Sequence, residues 1–361
     1  MQKISIYLLL FVSVFATISC KKDKSTVNAD VINNITDNII VVTYTDLDAK
    51  AQLLVDAATA LQLDQSSTTK LTAARAAWVA TRTPWESSEG FLFGPVATLE
   101  IDPNMDTWPL DSIGVDDILD GSATINKAYI DALTGDAGTG LKGFHAIEYI
   151  LYGSTGNRAA GTFSVRELQY LVACAESLKG KTLELKNAWI SSGGNFANQL
   201  KSRGAIYPSE KSVLVELAEG VRGIAGEVFD SKIQNTLDGL DANGVAGGIR
   251  EEESRFSNNT KTDFTNNIIS IQNVYLGRYN STGTAKGLSS IVSTINKDLD
   301  VKIQMQIAEA ITAIQLIGGS MSASYSQALA TDRASIETAQ TKVETLETTL
   351  RTELVPLVSG L

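Results

Sequence analysis

The chemistry of this sequence is most visible around His145, which is the only histidine among the 361 residues. It lies in a short apolar stretch, residues 143–149, which is interrupted by this imidazole and by the carboxylate of Glu148. In a helix, residues three positions apart lie on the same face. His145 and Glu148 can therefore direct a nitrogen and an oxygen towards one point, which is the smallest useful part of a metal site.

A second pair of acidic residues, Glu86 and Glu89, has the same spacing and lies beside Trp85. Carboxylates among large aromatic side chains need a partner, because the burial of an unpaired charge is costly. Arg82 precedes Glu86 by four residues and could form an ion pair with it on a helix. A cation bound jointly with the histidine segment is the alternative, and the sequence leaves both open.

Three consecutive acidic residues, Glu251 to Glu253, lie between Arg250 and Arg255, and Asp263 follows them. A charge run of this kind usually forms the solvated face of a helix. The alternative is that Glu253 reaches a cation site from the second half of the chain. Composition alone favours the solvated face.

The elements that must position these residues are predicted to be helices. The chain has only 6 prolines, and its apolar residues recur at spacings of three and four over long stretches. These stripes contain Leu47, Leu54, Ala58, Leu61; Leu168, Leu171, Val172, Ala175, Leu178; Val213, Leu214, Leu217, Val221, Ile224; and, near the end, Leu299, Ile303, Ile307, Ile311, Ile314, Ile336, Val343, Leu346, Leu350. They predict an all-α protein built from bundles, which ends in a helical hairpin broken near Gly318 and Gly319.

The length of the chain favours two domains. We place the boundary where Gly and Pro interrupt the helical pattern, which gives an N-terminal bundle of residues 37–204 and a C-terminal bundle of residues 205–361. A short internal match, residues 46–52 against residues 298–304, keeps five of seven residues. The match fades beyond this segment, so it only hints at two bundles related by duplication.

The N-terminus is typical of an exported protein. Residues 1–20 combine Lys3 with an apolar run and are predicted to be a signal peptide, too short to be a membrane span. The run ends at Cys20, in a context that resembles a bacterial lipobox, so we expect lipidation at Cys20 and a tether over residues 21–36. The alternative is a secreted protein cleaved near the same point without lipid. The mature chain keeps Cys174 as its single cysteine, which excludes an internal disulfide and indicates a small buried side chain.

The formal net charge of the full chain is −11. Removal of the signal peptide takes Lys3 with it and makes the balance more acidic by one charge. Nucleic acid and anionic lipid surfaces are poor partners for such a field, and cations are better ones. The alternative is that the negative charge only keeps the protein soluble.

Three separated segments form a pattern that can be compared with known families. Residues 143–148 read Gly-x-His-x-x-Glu, residues 82–95 contain Pro-Trp-Glu, Ser-Glu and Phe-Leu-Phe-Gly-Pro, and residues 253–257 read Glu-Ser-Arg-Phe-Ser before Thr260 and Asp263. In this order they resemble the GxHxxE motif and the two domain signatures of the imelysin-like family, also known as M75 peptidases. The family includes iron-regulated periplasmic proteins, and the resemblance covers nearly the whole mature chain.

The resemblance implies two four-helix bundles with a site near their junction, and a role in acquiring iron or another metal at the cell envelope. In this hypothesis the residues around the site are the direct ligands His145, Glu148, Glu86, Glu89 and Glu253, the charge-balancing or chelate-binding Arg82 and Arg255, and their neighbours Trp85, Ser254 and Asp263. A set with one imidazole and several carboxylates suits iron, manganese, magnesium or calcium better than catalytic zinc. Iron is the expected ion, with zinc or calcium as other possibilities.

Two further hypotheses remain open. In a metal-dependent peptidase, the ion would activate a water molecule and Glu148 or Glu86 would accept its proton. A common zinc peptidase holds its ion with two histidines, and this chain has one, so binding ranks above catalysis. In the third hypothesis, the histidine is structural and the protein is a non-catalytic envelope scaffold or a partner-binding module. The expected partners are a metal ion or its chelate and an envelope transport protein, with membrane contact through the lipid anchor only, at the bacterial outer membrane.

Overall fold

The computed structural model describes residues 24–279 and 284–361, so the predicted signal peptide and Cys20 lie outside the described residues. The helices of the first half are α1 (Lys24–Asn34), α2 (Val41–Leu63), α3 (Thr68–Glu86), α4 (Pro95–Thr98), α5 (Ile101–Asp106), α6 (Ser112–Asp120), α7 (Lys127–Asp131), α8 (Gly135–Thr139), α9 (Gly143–Tyr152), α10 (Val165–Trp189) and α11 (Ala197–Lys201). Those of the second half are α12 (Glu210–Glu227), α13 (Gln234–Arg250), α14 (Thr260–Leu276), α15 (Leu288–Ile295), α16 (Lys297–Gln315), α17 (Tyr325–Thr331), α18 (Arg333–Thr349) and α19 (Val355–Ser359). The described chain contains no β-strand, which confirms the all-α prediction.

Three π-helical segments and two 3-10 turns complete the helical structure. The π segments, Ile35–Ile40, Val228–Ile233 and Leu350–Leu354, join helices end to end, so that α1 continues into α2, α12 into α13 and α18 into α19; α13 is itself broken at Asn243 and Gly244, whose backbone angles are not helical. The 3-10 turns are Glu89–Phe91 and Ile317–Gly319. A π segment shifts the register of the side chains that follow it, and such segments are frequent at functional sites.

Two groups of four helices form the body of the molecule. In the first half, α2 packs against α3 and α10, and α9 lies against α3 and α10. In the second half, α12, α14, α16 and α18 are arranged in the same way. The residues of the predicted stripes line these contacts; Leu54, Leu171, Leu217 and Ile307, for example, are all buried. The hairpin predicted at the end of the chain is α16 and α18, with the 3-10 turn and α17 between them.

The sequence specifies the start of the longest uninterrupted α-helix, α10, through a capping box. Ser164 accepts a hydrogen bond from the backbone N–H of Glu167, and the Glu167 carboxylate accepts one from the N–H of Ser164. Two N–H groups that a helix start leaves unpaired are thereby satisfied. Cys174 is fully buried within α10, as its position in an apolar stripe predicted.

The predicted tether, residues 21–36, requires a correction. From Lys24 onwards the segment is helical, and its apolar residues Val31, Ile32 and Ile35 are buried. Val31 and Ile32 lie on α1 and Ile35 begins the π segment that follows it, and α1 packs against α12 and α15 of the second half. Asn34 also donates a hydrogen bond of 2.9 Å to the carbonyl of Gly277. The polar composition suggested a linker, but the helical spacing of the apolar residues dominates.

The two halves meet along a continuous apolar core. The 3-10 turn Glu89–Phe91 packs against α12, and α3 packs against α14. The boundary at residue 205 falls in the connection between α11 and α12, and the division into independent domains stays a prediction. None of the described helices is both long enough and apolar enough to cross a membrane.

Candidate metal centre

The predicted site residues come from separate helices whose ends meet at the junction of the two halves. Arg82, Trp85 and Glu86 form the last turns of α3, and His145 and Glu148 lie on the first turns of α9. Asp106 ends α5, Glu253 lies in the turn after α13, and Asp263 lies in the first turn of α14. The arrangement brings charged residues from both halves together in a buried position.

Arg82 is the centre of this cluster and is completely buried. Its guanidinium contacts the carboxylates of Glu86 and Asp106, and lies 3.2 Å from Glu253 and 3.5 Å from Asp263. Burial opposes a charge here, but the four carboxylates hold the pKa of Arg82 well above its usual value. The arginine is therefore a permanent cation that connects the first half of the chain to the second.

The His145 imidazole lies between two carboxylates. Its Nε2 atom is 3.2 Å from Oδ1 of Asp106, and its Nδ1 atom is 3.4 Å from Oε2 of Glu148. Burial opposes protonation, but the carboxylates of Asp106 and Glu148 on either side of the ring raise the pKa of His145 to about 9. For Asp106, burial is outweighed by Arg82 and His145, which hold its pKa well below the usual range, and Trp85 Nε1 donates to its other oxygen at 2.6 Å.

Glu148 is fixed by the second half of the chain. Its Oε1 atom accepts hydrogen bonds from the backbone N–H of Ser257 at 2.8 Å and from the Ser257 hydroxyl at 2.7 Å. Its other oxygen faces the imidazole. The Glu148 carboxylate therefore links α9 to the turn before α14. Because it is held by Ser257, it can fix the orientation of the His145 ring.

Steric constraints require a glycine at Gly143, the first residue of the GxHxxE motif. Its φ is +78°, and a Cβ atom at this position would lie 2.1 Å from the carbonyl oxygen of Met105. No side chain fits in that space, and L-residues avoid this backbone conformation. The close approach of α9 to the end of α5 is what brings His145 beside Asp106.

A buried lysine, Lys232, completes the charge cluster from the π segment Val228–Ile233. Its Nζ atom donates to Oε1 of Glu253 at 2.9 Å and lies 3.5 Å from Oε2 of Glu89. Burial raises the pKa of Glu89 well above its usual value although Lys232 opposes the shift, and burial likewise raises that of Glu86 against Arg82. These two glutamates therefore retain protons more readily than exposed ones.

Asp263 is held by polar side chains of its own half. Ser254 Oγ donates to it at 2.5 Å and Asn259 Nδ2 at 2.7 Å. Burial raises the pKa of Asp263 to about 6, with the Arg82 charge opposing and the Glu253 charge adding to the shift. Asp263 is saturated with donors, which makes it a support for the cluster.

Two sets of ligand atoms lie close enough to hold an ion. The oxygen or nitrogen atoms of Asp106, His145 and Glu253 lie within 4.8 Å of one another, and so do those of Glu86, Glu89 and Asp106. Within the described chain, His145 Nε2, Glu89 Oε2 and Glu253 Oε2 are buried without an aligned hydrogen bond, although His145 Nε2 lies 3.2 Å from Asp106 and Glu89 Oε2 lies 3.5 Å from Lys232. Buried polar atoms usually have hydrogen-bond partners, so these three atoms could accept a cation as a partner.

A pocket of about 290 Å³ leads from the surface to the cluster. Its walls are Glu89, Leu92, Asp102, Pro103, Asp106, Thr107, Trp108, Glu227, Lys232 and Glu253. Burial, with the neighbouring Asp106 charge, raises the pKa of Asp102 to about 6. The lining is dominated by acidic groups, as expected for a cation path.

Most of the predicted site residues do come together here, and Arg255 does not. Arg255 donates to the carbonyl of Arg250 at 3.0 Å and covers the ring of Phe256 on a separate cleft. Of the acidic run, Glu252 and Glu253 are buried in turns after α13, so the solvated-helix interpretation is wrong for them. Arg255 therefore faces outwards, whereas Glu253, two residues earlier, faces the cluster.

Sequence reasoning did not include four residues that the cluster contains. Ser257 binds Glu148, Asn267 donates to Glu86 at 2.6 Å, Asp106 contacts both Arg82 and His145, and Lys232 pairs with Glu253. The signal for Asp106 was its position in a connection rich in residues that prefer burial. Lys232 had no such signal, since nothing in its sequence context distinguishes it from a surface lysine.

The chain also resembles known proteins over nearly all of its length. The profile of the imelysin family, peptidase M75, matches residues 40–352. This chain belongs to the imelysin family. A curated imelysin relative, iron-regulated protein A of Synechococcus elongatus, is 28% identical over 347 residues, which are 94% of this chain and 89% of that protein.

Two crystal structures share the imelysin fold described above. A protein from Parabacteroides distasonis, described as an iron-regulated protein A precursor, superposes with a TM-score of 0.81 at 25% identity, over 95% of this chain and 96% of the other. An imelysin-like protein from Psychrobacter arcticum gives a TM-score of 0.69 at 12% identity, over 93% and 96% of the two chains. The second comparison concerns the fold alone.

Proposed function

We propose that this imelysin-family protein binds an iron ion as cargo at Asp106, His145 and Glu253, and that it acts in iron acquisition at the bacterial cell envelope. The observation that carries the proposal is the convergence of these three ligand atoms within 4.8 Å, with His145 Nε2 and Glu253 Oε2 buried and lacking hydrogen bonds. An ion bound there would satisfy both atoms. It would also balance a cluster in which carboxylates outnumber cations.

The donor set supports iron or manganese over zinc. It offers one imidazole and several carboxylate oxygens, whereas catalytic zinc is commonly held by two histidines. Glu148 has a supporting role in this proposal instead of the direct ligation expected from its spacing to His145. Its Oε1 is already bonded to Ser257, and its Oε2 lies beside His145 Nδ1, where it can fix the imidazole so that Nε2 faces the ion.

The choice of iron and of the envelope rests on additional support. Two relatives bear the name iron-regulated protein A. The first twenty residues have the pattern of a lipoprotein signal that ends at Cys20. An outer-membrane lipid anchor, an anionic chelate as the form in which iron arrives, and a transport protein that receives it are part of the same proposal.

Calorimetric titration of the metal-stripped mature protein with Fe(II), Fe(III), Mn(II), Zn(II) and Ca(II) tests the proposal. We expect tight binding of iron by the wild type and a loss of at least about 100-fold in His145→Ala, because a direct ligand is removed. Asp106→Asn should weaken binding to a similar extent. The matched control is Asp48→Asn, since Asp48 is a buried carboxylate outside the cluster. Unchanged affinity in His145→Ala would sink the assignment.

The peptidase hypothesis has less support from the geometry. Glu148, its main candidate for accepting a proton from water, already accepts two hydrogen bonds from Ser257. That oxygen, Oε1, already faces Ser257 and is not free to contact a water molecule at a bound ion. Cleavage of an unfolded protein substrate that requires metal and is lost in Glu148→Gln would restore the hypothesis.

A further inference from the structure

The Lys232 ammonium lies where the two possible ligand sets approach each other. It contacts Glu253 of the set with His145 at 2.9 Å and Glu89 of the other set at 3.5 Å. Both sets share Asp106. Carboxylates that bridge two neighbouring ions are typical of two-metal sites, in which the ions are about 3.5–4 Å apart.

Lys232 differs from the other buried lysines in what it binds. Lys261 donates to the backbone carbonyls of Ile317, Ser320 and Ala323 at 2.7 to 3.0 Å, so it ties a turn together. Lys232 has only carboxylate partners within the described part of the chain. Its side chain is 5% exposed. The Lys232 ammonium, with carboxylate oxygens around it, therefore occupies a position in which a metal cation could bind.

In the second set, Glu86 and Asp106 pair with Arg82, whereas the cation beside Glu89 is Lys232. Oε2 of Glu89 is buried without a hydrogen bond; the ammonium lies 3.5 Å from it and donates to Glu253 at 2.9 Å. Glu89, Asp106 and Lys232 all line the pocket that opens to the surface. An ion that enters by this route therefore meets Glu89 and Lys232 before it reaches His145.

We propose that Lys232 takes the place of a second metal ion at Glu86, Glu89 and Asp106, and so limits the centre to one ion. The proposal rests on the metal-binding function proposed above. Two multivalent ions and an ammonium cannot share these few carboxylates without strong repulsion, since like charges a few ångströms apart inside a protein repel strongly. Removal of the ammonium takes the neighbouring cation from Glu89 and leaves Glu253 with Arg82 alone, and a second ion can replace the ammonium.

Anaerobic Fe(II) titration of Lys232→Met tests this assignment. Methionine keeps much of the length of the side chain and removes the charge. We expect the wild type to bind one ion per chain and Lys232→Met to bind two. Adding Glu89→Gln should remove the second ion, and adding His145→Ala should remove the first. The matched control is Lys261→Met, which loses an ammonium outside the carboxylate cluster and should still bind one ion.

The outcomes separate this proposal from the one on which it rests. Wild-type binding that depends on His145, with one ion still bound in a folded Lys232→Met, overturns the role of Lys232 alone. No binding by the wild type, together with one Glu89-dependent ion in Lys232→Met, overturns the iron-binding function and supports the role of Lys232. If Lys232→Met fails to give a folded circular dichroism spectrum, Lys232→Gln replaces it. Two ions in the wild type overturn the proposal without any variant.

Discussion

Two buried carboxylates, Asp48 and Asp106, show two different uses of the same side chain. Asp48 lies in the first bundle, where Lys179 donates to it at 2.6 Å, Thr182 donates at 3.3 Å and Lys186 contacts its other oxygen. Burial opposes its charge, but the two lysines lower its pKa. Two ammonium groups serve one carboxylate, and neither oxygen lacks a partner. Asp48 is therefore explained by structure alone.

The cluster around Asp106 has the opposite balance. It contains two permanent cations, Arg82 and Lys232, and one imidazole, that of His145. Against these stand six carboxylates, those of Glu86, Glu89, Asp106, Glu148, Glu253 and Asp263. Several of them keep protons more readily than usual, and polar atoms remain without hydrogen bonds. A cluster that is balanced internally stabilises a fold, whereas a cluster with excess carboxylate is suited to a cation.

The largest effect is expected from Arg82→Met, which removes the cation that four buried carboxylates share. Breaking a buried ion pair from one side costs about 3–5 kcal/mol, because the remaining charge is left uncompensated. We expect a loss of this size in the free energy of unfolding, measured with urea on the metal-free protein. A loss below about 1 kcal/mol would mean that the carboxylates simply take up protons.

The control for this variant is Arg333→Met. Arg333 pairs with Asp241 and Glu337 on the exposed surface. Exposed pairs contribute little to stability, because solvent and salt screen them. We expect no clear change in the unfolding midpoint, so that the comparison isolates burial and carboxylate excess as the cause.

A smaller loss is expected from Gly143→Ala. The added methyl group would meet the Met105 carbonyl in a backbone conformation that already disfavours alanine. Strain and overpacking together cost about 2–3 kcal/mol, and a shift of α9 away from α5 should weaken iron binding. The matched control is Gly135→Ala, because Gly135 has a similar φ of +69° with no atom near the added group. Equal losses in both variants would show that backbone strain, not the contact with α5, is the reason for glycine.

The helical part of this structure was predictable because burial repeats along a helix. Leu54, Leu171 and Ile307 belong to stripes that can be counted in the sequence, and each lies in a bundle core. The same rule, applied to residues 24–36, predicts a helix there, although the polar composition of that segment is typical of a linker. Local periodicity is a property of the sequence, so it can be read without tertiary information.

The site was only partly predictable, because its parts are distant in sequence. Spacing indicates that His145 and Glu148 share a face, but nothing local shows that Asp106 lies 3.2 Å from the imidazole. Lys232 enters the cluster through a π segment, whose change of register has no marker in the sequence. Arg255 lies in the same turn region as Glu253, yet it faces another cleft. Side-chain direction in a turn is set by packing.

The pKa of His145 provides a test of the Asp106 cluster, because Asp106 lies beside the imidazole and Asp48 does not. A folded pKa of about 9 lies above the usual value of 6.5. The stability that its charge contributes is therefore fully present below about pH 6.5 and is lost as the pH rises through about 9. Iron requires the neutral imidazole, so its affinity should rise over the same pH range.

Nuclear magnetic resonance can follow this titration directly, because an untagged chain has one histidine and so one imidazole signal. We expect a midpoint near pH 9 in the metal-free protein. Glu148→Gln should lower the midpoint by about one unit or more, since a charged hydrogen-bond partner is lost. A wild-type midpoint near the ordinary histidine value would contradict the contacts with Asp106 and Glu148.

The smallest effect is expected from Asp48→Asn, and it tests the distinction between the two clusters most directly. Its lysine partners are 17% and 22% exposed, so water compensates part of the loss, and we expect a decrease of about 1 kcal/mol in the free energy of unfolding. The lowered pKa of Asp48 means that this contribution is present above its unfolded pKa and disappears as the pH falls below it. Iron affinity should not change. Weaker iron binding in Asp48→Asn, at unchanged structure, would mean that the protein responds to lost negative charge in general and that the excess of carboxylates around Asp106 has no special role.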